Sequence, residues 1–253
     1  MPNESLYRAA LQNMARTLRL LSSRVPAPRK VPYKDSFVFR HVERSIHQAI
    51  VEKLARTIST LTATHLLSTH GFVQEQAALQ RILGELHEDV TYLAFAEIKG
   101  DITQLHKDFL AAFFEEEFDA DTALESTQKR PMIPRKKIQA YIARNEGADL
   151  DPSTGVELSR TITKAYSGFV HAASPQIMDM YGGSPPRFHV NGLLGTERHA
   201  EYREDLWNYF YRSILAFGFA AKAFGDQPLF DQISDFLVEF ERVNSKNYTP
   251  ARQ

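Results

Sequence analysis

Apolar residues recur every three or four positions over most of this chain, the spacing that lines up one face of an α-helix. From Ser5 to Ser23, Leu6, Ala10, Met14, Leu18 and Leu21 share one stripe, with Arg8, Arg16 and Arg19 among the polar positions. The stripe ends at Val25-Pro26-Ala27-Pro28-Arg29-Lys30-Val31-Pro32, where the prolines stop a helix. This first helix is expected as an arm packed on the body or on another subunit. The longest run is expected to begin at Asp35 or Ser36, either of which can cap it, and to reach about His70, with Gly71 as its stop. Phe39, Val42, Ile46, Ile50, Leu54, Ile58, Leu61 and His65 form its stripe, and a helix of that extent is about 50 Å long. Its centre, Thr57 to Thr64, is rich in β-branched and hydroxyl residues. These weaken helicity, so packing has to hold it.

A third helix is expected from about Val73 to Ile98, with Ala78, Ile82, Leu86, Val90 and Leu93 along one side. The short turn at Gly71 makes it pack antiparallel to the second. Thr103 opens a fourth, through Phe118. The middle is less regular: a short helix within Asp119–Gln128, a linker around Pro131 and Pro134, a basic helix over Arg135–Arg144, and a polar turn over Asn145–Pro152. A helix is expected over Ser153–Ala173, a long Gly- and Pro-rich loop over 174–195, an aromatic helix over Thr196–Phe224 and a last helix over Pro228–Val243. No strand-like alternation of useful length stands out, although 186–194 has room for a short strand.

These patterns predict an all-α protein: a long antiparallel helical hairpin with further helices packed on it in a single bundle-like domain. Residues 1–34 hold the N-terminal helix and Pro-rich linker, 35–244 the bundle with irregular 119–152 and 174–195 segments, and 245–253 a tail. Composition agrees: 43% of the 253 residues are hydrophobic and 24% charged, with 17 Phe and 10 Tyr to fill a core. The net charge of −1 gives no overall field toward nucleic acid or anionic membrane. Absence of cysteine excludes disulfides, Cys-ligated zinc, iron–sulfur clusters and thiol catalysis. With no signal-peptide pattern at the start and no apolar run of membrane-spanning length, a cytoplasmic protein is expected.

Phosphate-cradling Gly-Lys-Ser/Thr loops, Gly-rich dinucleotide turns, Gly-x-Ser-x-Gly elbows and His-Glu-x-x-His are all missing. A di-iron site on helices asks for Glu-x-x-His, which aims both ligands at one metal. Here Glu43 and His47 are four apart and Glu85 and His87 two apart, so no cofactor or metal is expected. The Glu115-Glu116-Glu117 run reads as a solvated face. So does the basic set Lys129, Arg130, Arg135, Lys136, Lys137 and Arg144, since no aromatic platform accompanies it. Arg81 and Glu85 sit four apart beside the apolar stripe of the third helix. His171 ends a helix, where a protonated imidazole complements the dipole; the alternative places Tyr166 and His171 in a cleft beside the 174–195 loop.

His65-Leu66-Leu67-Ser68-Thr69-His70-Gly71, then Glu75 through Glu85 with Ala78, Leu79, Arg81 and Glu85, then Tyr92-Leu93, resembles a group of bacterial helical proteins of unknown function. A later segment, Tyr166-Ser167 through Val170-His171, is similar as well. The likeness spans about residues 37–110 and 155–172. The group looks related to HEPN-like helical domains, many of which are RNA-directed toxins or accessory proteins of phage defence. The resemblance implies, for an active member, metal-independent RNA cleavage by an arginine followed, after four to six residues, by a histidine, usually across a homodimer. Arg40 with His47 and Arg81 with His87 have that spacing, although Ile82 stands where a polar residue usually follows the arginine.

Three functional readings follow. In the first the protein is RNA-directed, Arg81 or Arg40 holding phosphate and His87 or His47 moving protons. In the second it is a non-catalytic oligomerisation or partner-binding protein, with Arg81 and Glu85 as core polar structure. In the third a small-ligand pocket lies between helices near Tyr166 and His171.

Overall fold

A computed structural model describes residues 2–116, 120, 122, 124–128, 131–145, 157, 164–246 and 248. Among the described residues the chain is all-α apart from two small antiparallel ribbons. In order come α1 (Pro2–Ser22), β1 (Arg29–Tyr33), β2 (Ser36–Arg40), α2 (Ile46–Thr69), α3 (Val73–Lys99), α4 (Gln104–Phe114) and α5 (Arg135–Asn145). Then follow α6 (164–170), α7 (Ser174–Met178), β3 (Tyr181–Gly182), β4 (Arg187–Phe188), α8 (Glu197–Ala223) and α9 (Gln227–Val243).

The centre is α2, α3 and α8, each in extensive contact with the other two. Leu54 and Leu61 from α2, Tyr92 and Leu93 from α3, and Phe210 and Phe217 from α8 are fully buried there. Each is worth about 1.5–3 kcal/mol of transfer free energy. α1 is no detached arm. Tyr7, Ala10, Met14 and Leu21 bury it against α2 and α8, and α9 closes the far side of α8 with Leu237 and Phe240.

α2 and α3 form the expected antiparallel hairpin, but α2 begins ten residues later than Asp35 or Ser36 suggested. Ser45 is its N-cap: its hydroxyl accepts from the Gln48 N–H, and the Gln48 side chain accepts from the Ser45 N–H. With 24 residues, α2 is about 36 Å long, not about 50. Phe39 and Val42, expected on its buried stripe, are exposed on β2 and in the following loop. The register pairs Lys30 with Phe39 and Pro32 with Phe37 across a two-residue turn. Lys34 supplies the turn's positive φ of 51°. Aromatic and β-branched residues flanking a polar pair are a hairpin pattern, and it wins over a helical spacing that Phe39 and Val42 extend by coincidence.

α2 ends as expected at Gly71, whose φ of 75° lets the Phe72 N–H reach the Leu67 carbonyl at 3.0 Å. The Gly71 carbonyl in turn accepts the Leu193 N–H at 2.7 Å. This ties the 174–195 segment to the helical hairpin, and that segment is more ordered than a loop: α7 and the β3–β4 ribbon occupy it, β4 within the stretch expected to have room for a strand. α4 stops at Phe114, and Glu115 is already extended; the expected end at Phe118 lies outside the described residues. So do most of the expected 145–152 turn and the first part of the 153–173 helix. No helix occurs among the described residues of 119–128. In the tail, Tyr248 donates its N–H to Glu241 at 3.0 Å.

Candidate functional site

The β1–β2 ribbon packs chiefly on itself. Strand alternation puts Lys30, Pro32, Phe37 and Phe39 on one face. Phe37 is 44% exposed, Phe39 59% and the neighbouring Tyr33 48%. Phe37 and Phe39 meet edge to face at 5.5 Å, the Lys30 ammonium lies 4.2 Å over the Phe37 ring, and Lys34 lies 5.7 Å over Tyr33. Between residues 29 and 44 there are five arginines and lysines against two carboxylates.

Arg40 sits at the foot of this ribbon. Its Nε donates to Glu116 Oε1 at 2.6 Å and its Nη2 to Oε2 at 3.0 Å. That bond holds the Glu116 carboxyl below the usual range and raises the guanidinium. His47, in the first turn of α2, donates from Nε2 to the Ala223 carbonyl at 3.2 Å. Its ring stands edge-on to Phe224 at 4.5 Å, and Nδ1 is 3.8 Å from Glu97. Arg40 is therefore on a strand and His47 on a helix, each with its own partner. Arg81 is bonded to Glu85 one turn on. His87 donates from Nδ1 to the Arg212 carbonyl at 2.9 Å, and burial, helped by the Arg212 charge, lowers its pKa to about 3. Its imidazole is neutral at physiological pH, a weak proton donor. Tyr166 turns inward: its hydroxyl donates to Asp205, its ring meets Tyr209 at 5.9 Å, and burial followed by Tyr209 and Asp205 raises its pKa. His171 is exposed beyond the end of α6.

Glu85 belongs to a larger charge network. On α3, Glu88 and Asp89 are buried; Asp89 accepts from Lys53 of α2 at 2.7 Å and from both Nη atoms of Arg135 of α5. Arg135 also lies 3.5 Å from Glu85 and 3.8 Å from Glu88, and Gln139 donates to Glu88 at 3.0 Å. Burial works against the Arg135 guanidinium, but the carboxylates outweigh it and its pKa rises; burial raises Glu88 despite Gln139 and Arg135. The Lys53 ammonium is 4.4 Å over Phe113. This set anchors α5 to the helical hairpin. Arg135 was expected on a solvated face; Lys136, Lys137 and Arg144 are on one.

A pocket of about 310 Å³ opens between α1, α2 and α8, with Glu4, Tyr7, His65, Ser68, Thr69, His199, Arg203 and Glu204 in its wall.

No family model, no curated protein and no solved structure matches this chain.

Among the described residues no group of three or more His, Asp or Glu could hold a metal ion, and no helix is long and apolar enough to cross a membrane. Sequence reasoning missed Lys30, Tyr33, Phe37 and Phe39 because the segment was assigned to a linker and a helix. It missed Lys53, Glu88 and Asp89 too. Asp89 did carry a signal: it lies three residues after Leu86 and one before Val90, at the border of the inward stripe, where a carboxylate needs a cationic partner in the fold. Glu88 falls on the opposite side of the helix from that stripe, so spacing gave no sign of its burial.

Proposed function

We propose that this protein is RNA-directed and that the β1–β2 ribbon is its contact surface for single-stranded RNA. What supports the reading is the ribbon's surface: exposed Phe37 and Phe39 share one face with Lys30, which lies over the Phe37 ring, and at the turn Lys34 lies over exposed Tyr33, on a ribbon that packs chiefly on itself. Unpaired bases stack on such rings while the cations track the backbone; a stacked base is worth about 1–3 kcal/mol. A neutral chain can still bind through a local patch of this kind.

Cleavage in the HEPN-like manner asks for an arginine and a histidine at one phosphate. Arg81 and His87 are committed to Glu85 and to the Arg212 carbonyl. Arg40 and His47 have partners too, Glu116 and the Ala223 carbonyl, but they are more exposed than Arg81 and His87 and flank the ribbon's junction with α2, so a metal-independent ribonuclease step falls to them. Fluorescence anisotropy with a labelled single-stranded RNA, run beside single-stranded DNA and duplex RNA, tests binding; a gel assay on the same RNA without metal tests cleavage. Preference for the single strand, lost in Phe37→Ala/Phe39→Ala, supports the surface. Equal binding by that variant removes it. Cleavage abolished by Arg40→Ala and His47→Ala supports the enzyme reading, and no cleavage by the parent leaves a binding protein.

The ribbon also favours a second, non-catalytic reading. It is a two-stranded sheet with unpaired outer edges, and such edges pair with another chain. A homodimer joined there is read by sedimentation: a dimer that Phe39→Pro, which removes an N–H facing the outer edge, dissociates supports it, and a monomer at micromolar concentration excludes it.

A further inference from the structure

The pocket between α1, α2 and α8 is separate from the ribbon, and its wall can be sorted by what each polar group already does. Both ring nitrogens of His199 are engaged: Nε2–H donates to the Ser68 carbonyl at 2.7 Å, and Nδ1 accepts the Gly195 N–H at 3.4 Å. That histidine joins α8 to the last turn of α2. The Thr69 hydroxyl is spent on the Leu66 carbonyl at 2.8 Å. His65 Nε2 is bonded to Glu4 Oε2 at 3.1 Å, and its ring stands edge-on to Tyr7 at 5.5 Å. This fixes the Glu4 carboxylate in the pocket while its Oε1 can accept another donor. At the rim, Arg203 and Glu204 are neighbours in sequence and exposed. Leu194, Ala200 and Leu206 supply the apolar part of the wall.

Two carboxylates and a guanidinium around an apolar patch suit a ligand that carries both signs of charge and a short hydrocarbon group. We propose that this pocket binds a free amino acid with an aliphatic side chain. Glu4 and Glu204 take the ammonium and Arg203 the carboxylate, since a guanidinium has donors enough to keep an existing partner and add this one. The side chain lies against Leu194, Ala200 and Leu206. The volume, about 310 Å³, is at the small end of ligand pockets and has room for a free amino acid.

Calorimetric titration of the full chain with L-leucine, isoamylamine and 4-methylpentanoate tests this, because the last two each keep one charge and the same hydrocarbon. Leucine is expected to bind saturably and each analogue at least tenfold more weakly. Glu204→Gln and Arg203→Gln, both at exposed positions, are expected to weaken leucine at least tenfold with an unchanged circular dichroism spectrum. Failure of leucine to bind overturns the proposal. So does an analogue that binds as tightly as leucine, or parental affinity in both variants. The analogue series uses the unaltered chain, so it decides the matter even where a variant misfolds. Neither outcome depends on the ribbon, whose RNA binding is read separately.

Discussion

On the face shared by α2, α3 and α5, Lys53, Glu88 and Asp89 are buried and each meets an opposite charge or a side-chain amide inside the protein. On the β1–β2 ribbon, Lys30 and Lys34 lie over aromatic rings that face water. The same residue types do different work in the two places. Inside, removing one ion strands its partners without solvent, so the set fixes where the helices sit. Outside, the rings face water on a ribbon that packs chiefly on itself, and the proposed RNA contact would account for their exposure.

The sharpest way to break this contrast is to delete a charge from the buried side. Asp89→Ala leaves Lys53 and Arg135 short of their shared carboxylate. It is expected to cost about 3–5 kcal/mol of unfolding free energy in urea; a loss below about 1 kcal/mol contradicts a buried, coupled network.

His87 gives the next largest effect, through pH. Its folded pKa of about 3 lies below the 6.5 of a free imidazole, so the unfolded chain takes up a proton that the folded one refuses. Its contribution is intact above pH 6.5 and declines as the pH falls toward 3. At pH 5 the loss is about 2 kcal/mol. His87→Gln, which keeps a donor for the Arg212 carbonyl, is expected to remove that part of the acid slope between pH 7.5 and 5. An unchanged slope refutes the neutral buried ring.

The smallest stability effect belongs to the ribbon. Phe37→Ser/Phe39→Ser is expected to change stability by less than about 0.5 kcal/mol while weakening RNA binding tenfold or more. A large stability loss in this variant places the rings in the core instead.

How far the sequence foretold all this differs along the same line. α3, α8 and α9 were legible to within a residue or two because their apolar spacing runs unbroken between a capping residue and a stop: Thr196 and Asp226 accept backbone N–H groups, and Gly100 takes the left-handed conformation with φ of 64°. The beginning of α2 was not legible. Phe39 and Val42 sit at helical spacing from Ile46, and only the Lys34-Asp35 turn between two aromatic runs distinguishes a ribbon there. Arg135 was visible as a basic residue on a short helix, but periodicity along α5 carries no information about Asp89 on α3. The Arg81–Glu85 pair was readable because it is local; the partners of His87 and Tyr166 lie on α8, 125 and 39 residues away, beyond the reach of spacing.

The central claim is that the ribbon binds single-stranded RNA through cations beside exposed rings. Its most direct test is RNA affinity measured over a range of salt concentration. With about three phosphates contacted, log K is predicted to fall with log salt at a slope of about −2, and Lys30→Ala/Lys34→Ala to flatten it to about −0.7. A parental slope near zero, or a slope that the double variant leaves unchanged, contradicts the account.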